Sequence, residues 1–148
     1  MVYTVESARE EAFKDVEYEI SMEPYKKYMK DPGFIAPGEE GGKPRVKKWG
    51  RSVTFFSDGN YSAKYYSRLD VAYYYDKSGN LGALEFRPIY YRYPYKNKKY
   101  DVSGKFMEIF FNENAHSTFV YDKNKKYLGH WLRNAFYDKD GNITLKRY

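Results

Sequence analysis

A short aromatic-Asp-Lys sequence recurs along this chain as YYDKSGNL (74–81), VYDKNKKYL (120–128) and FYDKDGNI (136–143). The Asp can accept hydrogen bonds from the backbone that follows it, and Gly or Asn can take the positive φ that closes a hairpin. Together with DGN at 58–60, the repeat predicts a β-hairpin that occurs four to five times. In the copy where Lys125 replaces Gly, we expect the left-handed position to fall on Asn124 and the loop to be longer.

Short runs of β-favouring residues lie between these turns. They cover 51–57, 61–68, 71–75, 81–87, 105–111, 117–121, 128–136 and 143–148. Their number and spacing predict a mainly β fold, with α+β as the alternative. We expect an antiparallel meander of about seven to nine strands that curls into a half-barrel or a barrel.

The N-terminal region has a different character. Ser7 and Glu10 have the spacing of a capping box and predict a helix over about 8–15. The stretch 16–22 fits a helix or a strand equally well, and Pro24 can open a short helical turn. We therefore expect a helical or extended segment over 1–30, a Pro- and Gly-rich arm or linker over 31–45, and the antiparallel β domain over 46–148.

The turn sequences resemble those of a known repeat class. YDKSGNL and YDKDGNI are similar to the Tyr-Asp-x-x-Gly unit of bacterial YD-repeat proteins, over about seven residues per copy. The successive Asp residues at 58, 76, 122 and 138 are 18, 46 and 16 residues apart, which is not the regular period of such an array. No property of that family is carried over to this chain.

Composition narrows the class of protein. The 148 residues fit one domain, and 19 Tyr give the chain surfaces that are both apolar and hydrogen-bonding. Without Cys there is no disulfide framework, thiolate nucleophile or Cys-bound metal. No apolar run reaches the length of a membrane span, and no signal-peptide pattern follows Met1. We expect a soluble and preferably cytoplasmic protein, with secretion or a periplasmic location open if a leader was removed.

The catalytic motifs that can be read from sequence are missing. The chain has no phosphate-binding glycine loop, no nucleophile elbow and no metal-ligand spacing around His116 or His130. Glu85 and Glu108 lie within predicted strands and are the carboxylates that could serve acid–base chemistry. We expect no catalytic residue, no metal and no cofactor, and whether the protein is an enzyme is left open with a preference for none.

Positive charge is concentrated in the β domain. Residues 46–148 carry 19 Lys and Arg against 10 Asp and Glu, whereas 1–45 carry 7 against 10. In a meander, the connections near 67–70, 88–104 and 122–127 would share one end of the sheet and form a basic rim. The candidate partner-binding residues are Trp49, Arg68, Arg92, Tyr93, Tyr95, Lys96, Lys98, Lys99, Lys123, Lys125 and Lys126. A separate strand at 89–93 would invert this order, and Lys in hairpin loops also serves simply to keep edges solvated.

These features favour a non-enzymatic interaction module that binds an acidic protein or a large assembly through a basic, Tyr-rich surface. Single-stranded nucleic-acid binding by the same surface is the first alternative. The second is a β-barrel that encloses a small apolar or aromatic ligand, with acid–base catalysis as a further option. The partner and the oligomeric state do not follow from the sequence.

Overall fold

The computed structural model describes residues 2–30, 45–47, 51–55, 61–67, 70–75 and 79–147, with the backbone alone between 45 and 67. Eleven strands form one sheet: β1 Arg45–Lys47, β2 Arg51–Phe55, β3 Tyr61–Ser67, β4 Val71–Tyr75, β5 Leu81–Phe86, β6 Tyr95–Asp101, β7 Phe106–Asn114, β8 Ser117–Asp122, β9 Tyr127–Leu132, β10 Ala135–Asp138 and β11 Ile143–Lys146. Each strand pairs antiparallel with the next. The predicted mainly β meander is confirmed, and side chains are described for the eight strands β4–β11.

The sheet curls without closing into a barrel. Among the described strands, β1 and β11 are the two edges, with no pairing between them. Strands lie about 4.8 Å apart, so β5 and β11 would be about 29 Å apart in a flat sheet. Arg147, which follows β11, nevertheless interacts electrostatically with Tyr74 of β4 and Glu85 of β5. The last strand is therefore turned back toward β4 and β5 across one face of the sheet.

The predicted strands differ from the observed ones in three places, of which the first is β1, which precedes the first predicted strand at 51. The expected strand over 128–136 is two strands, β9 and β10, because Arg133 takes a left-handed φ of 56° and the chain reverses there. The expected connection over 88–104 contains an additional strand, β6. Its sequence YKNKKYD carries Lys and Asn where a half-buried strand usually carries apolar residues, so the pattern gave little sign of a strand.

The predicted hairpin turn is confirmed where the structure describes it. At Asp101, Asp122 and Asp138, one carboxylate oxygen accepts hydrogen bonds from the backbone N–H groups two and four residues ahead, at 2.8–3.0 Å. The fourth residue of each turn has a positive φ: 85° at Gly104, 67° at Lys125 and 85° at Gly141. The turn at 101–105 is a further copy that the motif search missed, and the copy at 58–60 lies outside the described residues.

The turn at 122–126 corrects the expectation for the copy without Gly. Lys125, and not Asn124, occupies the left-handed position. Its loop is no longer than the others, since Lys125 N donates to Asp122 O at 3.0 Å, as Gly104 N and Gly141 N do at the equivalent positions of their turns. The Asp side chain thus imposes the same turn even when a residue with a Cβ must take the strained conformation.

Residues 2–30 pack across one face of the sheet. Helix α1 spans Val5–Ala12 and begins earlier than predicted, because Thr4 is the N-cap and Ser7 is its capping-box partner. The stretch 16–22 is extended: Phe106 N donates to Tyr18 O at 2.9 Å, and Ile20 N donates to Gly104 O at 2.8 Å. A 3₁₀ helix over Glu23–Tyr28 follows, as the position of Pro24 predicted. The predicted arm at 31–45 lies outside the described residues apart from Arg45.

The sheet has two chemically different faces. The helix-side face is apolar, and residues 2–30 cover it; its most buried side chains are Tyr73, Leu84, Tyr100, Ile109 and Tyr121. The Tyr hydroxyls there remain hydrogen-bonded, since Tyr100 donates to Glu17 O at 2.6 Å and Tyr121 to Val5 O at 2.6 Å. The other face, here called the polar face, carries Tyr74, Glu85, Asn97, Lys99, Glu108, Asn112 and Thr118.

Replacing Lys125 with Gly is expected to stabilise the protein by about 0.5–1 kcal/mol, because Gly adopts the left-handed conformation without steric cost. The matched change is Gly141→Ala, where φ is 85° and a new Cβ would have nothing within 4 Å. That variant should lose about 1 kcal/mol through backbone strain alone. Urea unfolding of both variants and the wild type measures the effect. A Lys125→Gly protein less stable than the wild type would contradict this view of the turn.

Candidate functional site

The connections alternate between two ends of the sheet, and the order of the strands decides which loops share an end. We call the end with the connections at 76–80, 101–105, 122–126 and 138–142 the lysine end. The opposite end, here the arginine–tyrosine end, has the connections at 68–70, 87–94, 115–116 and 133–134, of which residues 68 and 69 lie outside the described residues. The predicted single basic rim was wrong, because β6 adds one strand between the two Lys-rich stretches and places Lys123–Lys126 at the opposite end from Arg92 and Tyr93.

The two ends carry different cations. In the described turns of the lysine end, the basic residues are all lysines: Lys105, Lys123, Lys125, Lys126 and Lys139. In the described connections of the other end they are all arginines: Arg87, Arg92 and Arg133. Arginine binds carboxylates in a bidentate manner and stacks on aromatic rings, whereas lysine is a strongly hydrated point charge. The arginine–tyrosine end therefore has the chemistry more typical of an interface.

The predicted lysines of β6 do not form one exposed patch. Lys96 donates from Nζ to the carbonyls of Ala12, at 3.0 Å, and Lys14, and so satisfies the backbone at the C-terminal end of α1. Burial lowers the pKa of Lys96, and the nearby Lys98 lowers it further. Lys98 is half-buried, and Lys99 lies on the polar face with its Nζ 4.0 Å from Glu108 Oε1. Trp49 and Arg68 lie outside the described residues.

Aromatic side chains dominate the connection 87–94. The exposed fraction is 52% for Ile89, 94% for Tyr90, 46% for Tyr91 and 45% for Tyr93. The ring centroids of Tyr91 and Tyr95 are 4.3 Å apart, and those of Tyr93 and Tyr95 are 5.2 Å apart. Burial, together with the neighbouring Tyr93 and Tyr91, raises the pKa of Tyr95 to about 12, so its hydroxyl stays protonated at neutral pH. The structure thus brings Arg92, Tyr93 and Tyr95 together.

A shallow groove of about 570 Å³ lies at the lysine end, between the turns at 101–105 and 122–126. Lys105 and Lys123 face Asp101, Asp122 and Glu108 across it. Lys105 Nζ is held 3.0 Å from Glu19 Oε1, and the Asp side chains are engaged by their own turns. Its charges are nearly balanced, so the groove shows no preference for an anionic partner.

The polar face contains the two carboxylates that were considered for acid–base chemistry. Glu85 and Glu108 are each register neighbours of Lys99, one on either side of it. Glu85 accepts hydrogen bonds from Tyr74 Oη at 3.0 Å and Asn97 Nδ2 at 3.2 Å. Burial raises the pKa of Glu108, while Lys99 opposes that shift and Glu85 reinforces it. Lys99 separates the two carboxylates, and Arg147, which interacts electrostatically with Glu85, supplies a second positive charge.

A second polar group lies under the N-terminal segment. Ser117 Oγ is 2.7 Å from His130 Nε2 and donates to Glu113 Oε2 at 2.9 Å, and Glu113 Oε1 accepts from Tyr3 N at 2.8 Å. Because the single Ser117 hydroxyl proton is given to Glu113, His130 Nε2 acts as the donor to Ser117. His130 therefore does not serve as a base toward that hydroxyl, and the group ties Tyr3 to the sheet.

The known proteins offer no guide to these surfaces. Comparison of the chain with models of protein families, with curated proteins and with solved structures found no match. In the part of the chain that the structure describes, no cluster of His, Asp and Glu could hold a metal ion. No described helix is long and apolar enough to cross a membrane.

Acidification should destabilise the protein partly through His130. Burial lowers the pKa of His130 below its ordinary value of 6.5, against the opposing effect of Glu113. The unfolded chain then binds a proton more readily, so the free energy of unfolding falls as the pH drops below about 6.5. His130→Gln removes this contribution, and its stability should change less between pH 7.5 and pH 5 than that of the wild type.

His116→Gln is the matched control, because His116 is exposed in the turn between β7 and β8. Its unfolding, followed by circular dichroism across the same pH range, should keep the wild-type dependence. Equal pH dependence in His130→Gln and the wild type would show that His130 makes no such contribution.

Proposed function

We propose that this protein is a non-enzymatic interaction module that binds an acidic protein through its arginine–tyrosine end. The observation that carries the proposal is the cluster of exposed tyrosines at 87–94, which stands beside Arg87 and Arg92. Tyr and Arg contribute most of the binding energy at many protein interfaces. Contiguous exposed apolar surface on a small domain usually marks such an interface.

The tyrosines are held in place before any partner binds. Arg87 N donates to Asp70 O at 2.9 Å at the start of the connection, and Tyr95 fixes the other side as the first residue of β6. Tyr91, Tyr93 and Tyr95 pack on one another with centroid distances of 4.3–5.9 Å. A surface with little freedom to lose binds its partner at a lower entropic cost.

The charge of this end favours an acidic partner over a neutral one. Arg133 lies exposed in the neighbouring turn, whereas Arg147, whose Nη2 donates to Arg133 O at 3.0 Å, is partly buried and also interacts with Glu85. The guanidinium of Arg147 also lies 4.3 Å from the ring centroid of Trp131. Arginines placed around an aromatic patch attract carboxylates and orient the approaching protein.

Single-stranded nucleic acid would use the same residue types but is supported less well. Stacking of bases needs open ring faces. Tyr91, Tyr93 and Tyr95 already pack against one another, and Tyr90 alone is almost fully exposed. The geometry therefore suits a protein surface that lies over the cluster better than a strand whose bases insert into it.

The double variant Tyr90→Ala/Arg92→Glu should lose partner capture. Both side chains are exposed, so folding should change by no more than about 0.5 kcal/mol. Immobilised protein would be incubated with nuclease-treated extract of the source cells at low and high salt, and the captured proteins identified by mass spectrometry. We expect the wild type to hold a small set of acidic proteins that the variant loses at least tenfold.

Lys123→Glu at the lysine end changes the net charge by the same amount as Arg92→Glu, so this exposed position supplies the charge-matched control, which should keep the same proteins. Equal loss in this control would show that capture depends on net charge alone. A parallel incubation omits the nuclease, and capture from the untreated extract alone would assign the surface to nucleic acid instead.

A further inference from the structure

A group of exposed carboxylates, here called the acidic patch, lies on the outside of the N-terminal segment. It consists of Glu10, Glu11, Asp15 and Glu17. Between residues 10 and 17, all of which the structure describes, Lys14 is the one cation, and its Nζ lies 2.8 Å from Glu11 Oε1. The other three carboxylates form no salt bridge within the described residues. The patch therefore presents negative charge that the cations of a partner can reach.

Lys96 shows how close the acidic patch lies to the arginine–tyrosine end. This lysine is the second residue of β6, directly after Tyr95, and its Nζ donates to two carbonyls at the C-terminal end of α1. Burial lowers the pKa of Lys96, and the carboxylates of Asp15 and Glu11 oppose that shift, so both lie within electrostatic range of its Nζ. The acidic patch is thus separated from Tyr95 by little more than one lysine side chain.

The acidic patch and the tyrosines lie on opposite sides of this end of the sheet. Lys96 faces the N-terminal segment, so the preceding Tyr95 lies toward the polar face, because successive residues of a strand alternate between the two faces. The rings of Tyr91 and Tyr93 pack on Tyr95, with centroid distances of 4.3 and 5.2 Å. The end is therefore acidic toward the helix-side face and aromatic toward the polar face.

Two copies of the chain can use both sides at once. A two-fold axis that runs along this end, in the plane of the sheet, places the copies end to end and turns one of them over. The helix-side face of each copy then continues into the polar face of the other. Each acidic patch comes to lie beside the tyrosines and Arg92 of the other copy, and the two contacts are identical, as in an isologous dimer.

The net charge of the chain does not prevent this association. Each chain carries +6, and the half-buried Lys96 and Lys98 offset part of the charge of the acidic patch. At 0.15 M salt, charges are screened over about 8 Å, which is shorter than the distance between the centres of two domains of this size. Opposite charges in direct contact still attract each other, and the exposed tyrosines add apolar contact area.

We propose that a second copy of this chain is an acidic partner of the arginine–tyrosine end, and that the two copies form a symmetric dimer. Arg92 of each copy contacts the acidic patch of the other, and the exposed rings of Tyr90 and Tyr91 cover the remainder of the contact. This inference rests on the proposed function, because it names a partner for the same surface.

Sedimentation velocity of the full chain over a range of protein concentrations measures the association, at a salt concentration of about 0.15 M. The wild type should dimerise. Arg92→Glu and Glu11→Arg each change one exposed side chain, and each should weaken dimerisation at least tenfold because it places like charges in both contacts. Lys123→Glu, which is exposed at the lysine end, should dimerise like the wild type.

An equimolar mixture of the Arg92→Glu and Glu11→Arg proteins gives a second readout. In a mixed dimer, the two changed side chains face each other with opposite charges, and the two unchanged side chains form the wild-type contact. The mixture should therefore dimerise like the wild type although neither variant does so alone. A loss of folding in either variant would not produce this recovery.

The inference is overturned if the wild type stays monomeric up to millimolar concentration, if either variant dimerises as strongly as the wild type, or if the mixture stays monomeric. A monomeric wild type that still captures acidic proteins from extract would contradict this inference alone and leave the proposed function standing. A wild type that dimerises as described but captures no other acidic protein would support the inference and contradict the wider proposed function.

Discussion

The hydrogen bonds from one Asp carboxylate to two backbone N–H groups are the interaction on which this fold depends. At Asp101, Asp122 and Asp138 they close a five-residue turn with the same geometry each time. An antiparallel meander reverses the chain at every connection, and this turn supplies the reversal at three connections of the lysine end. Because each turn is specified by local side-chain chemistry, the sheet can be extended hairpin by hairpin without long-range contacts to fix its order.

Much of this architecture could be predicted because turn chemistry and β-favouring runs are local signals. Strand β6 and the turn at Arg133 were not predicted, each for a physical reason. Strand β6 places Lys96 and Lys98 on the helix-side face, where Lys96 is used to satisfy carbonyls at the end of α1. A lysine that is half-buried with its Nζ hydrogen-bonded gives the same sequence signal as a lysine in a solvated loop, because a sequence pattern records only the polarity of the residue. The turn at Arg133 was hidden because no Gly or Asp marks it.

The missed strand β6 explains why the lysines of 122–126 were predicted at the same end of the sheet as Arg92 and Tyr93. Arg92, Tyr93 and Tyr95 lie together because they are close in sequence, in and directly after the connection 87–94. The lysines of 122–126 were predicted at the same end only by counting the strands between the two stretches. A count that is short by one moves a loop to the opposite end of the sheet. The carboxylates show the opposite case: Glu85 and Glu108 were known only as strand residues, and β6 is the strand that places them on either side of Lys99. The number of strands between two loops of a meander decides whether those loops share an end of the sheet. Local sequence patterns do not determine that number.

Ile20 N donates a hydrogen bond to Gly104 O, and this contact limits which residue the turn at 101–105 can carry at position 104. A Cβ at residue 104 would lie 2.2 Å from the carbonyl oxygen of Ile20, whereas one at residue 141 would meet nothing within 4 Å. The repeated turn has already accepted Lys at 125, so its own geometry tolerates a side chain. Residue 104 cannot carry a side chain in the same way, because the N-terminal segment packs against its backbone. The docking of residues 2–30 therefore restricts residue 104 to Gly, whereas residues 125 and 141 of the other described turns can carry a side chain at a modest cost in stability.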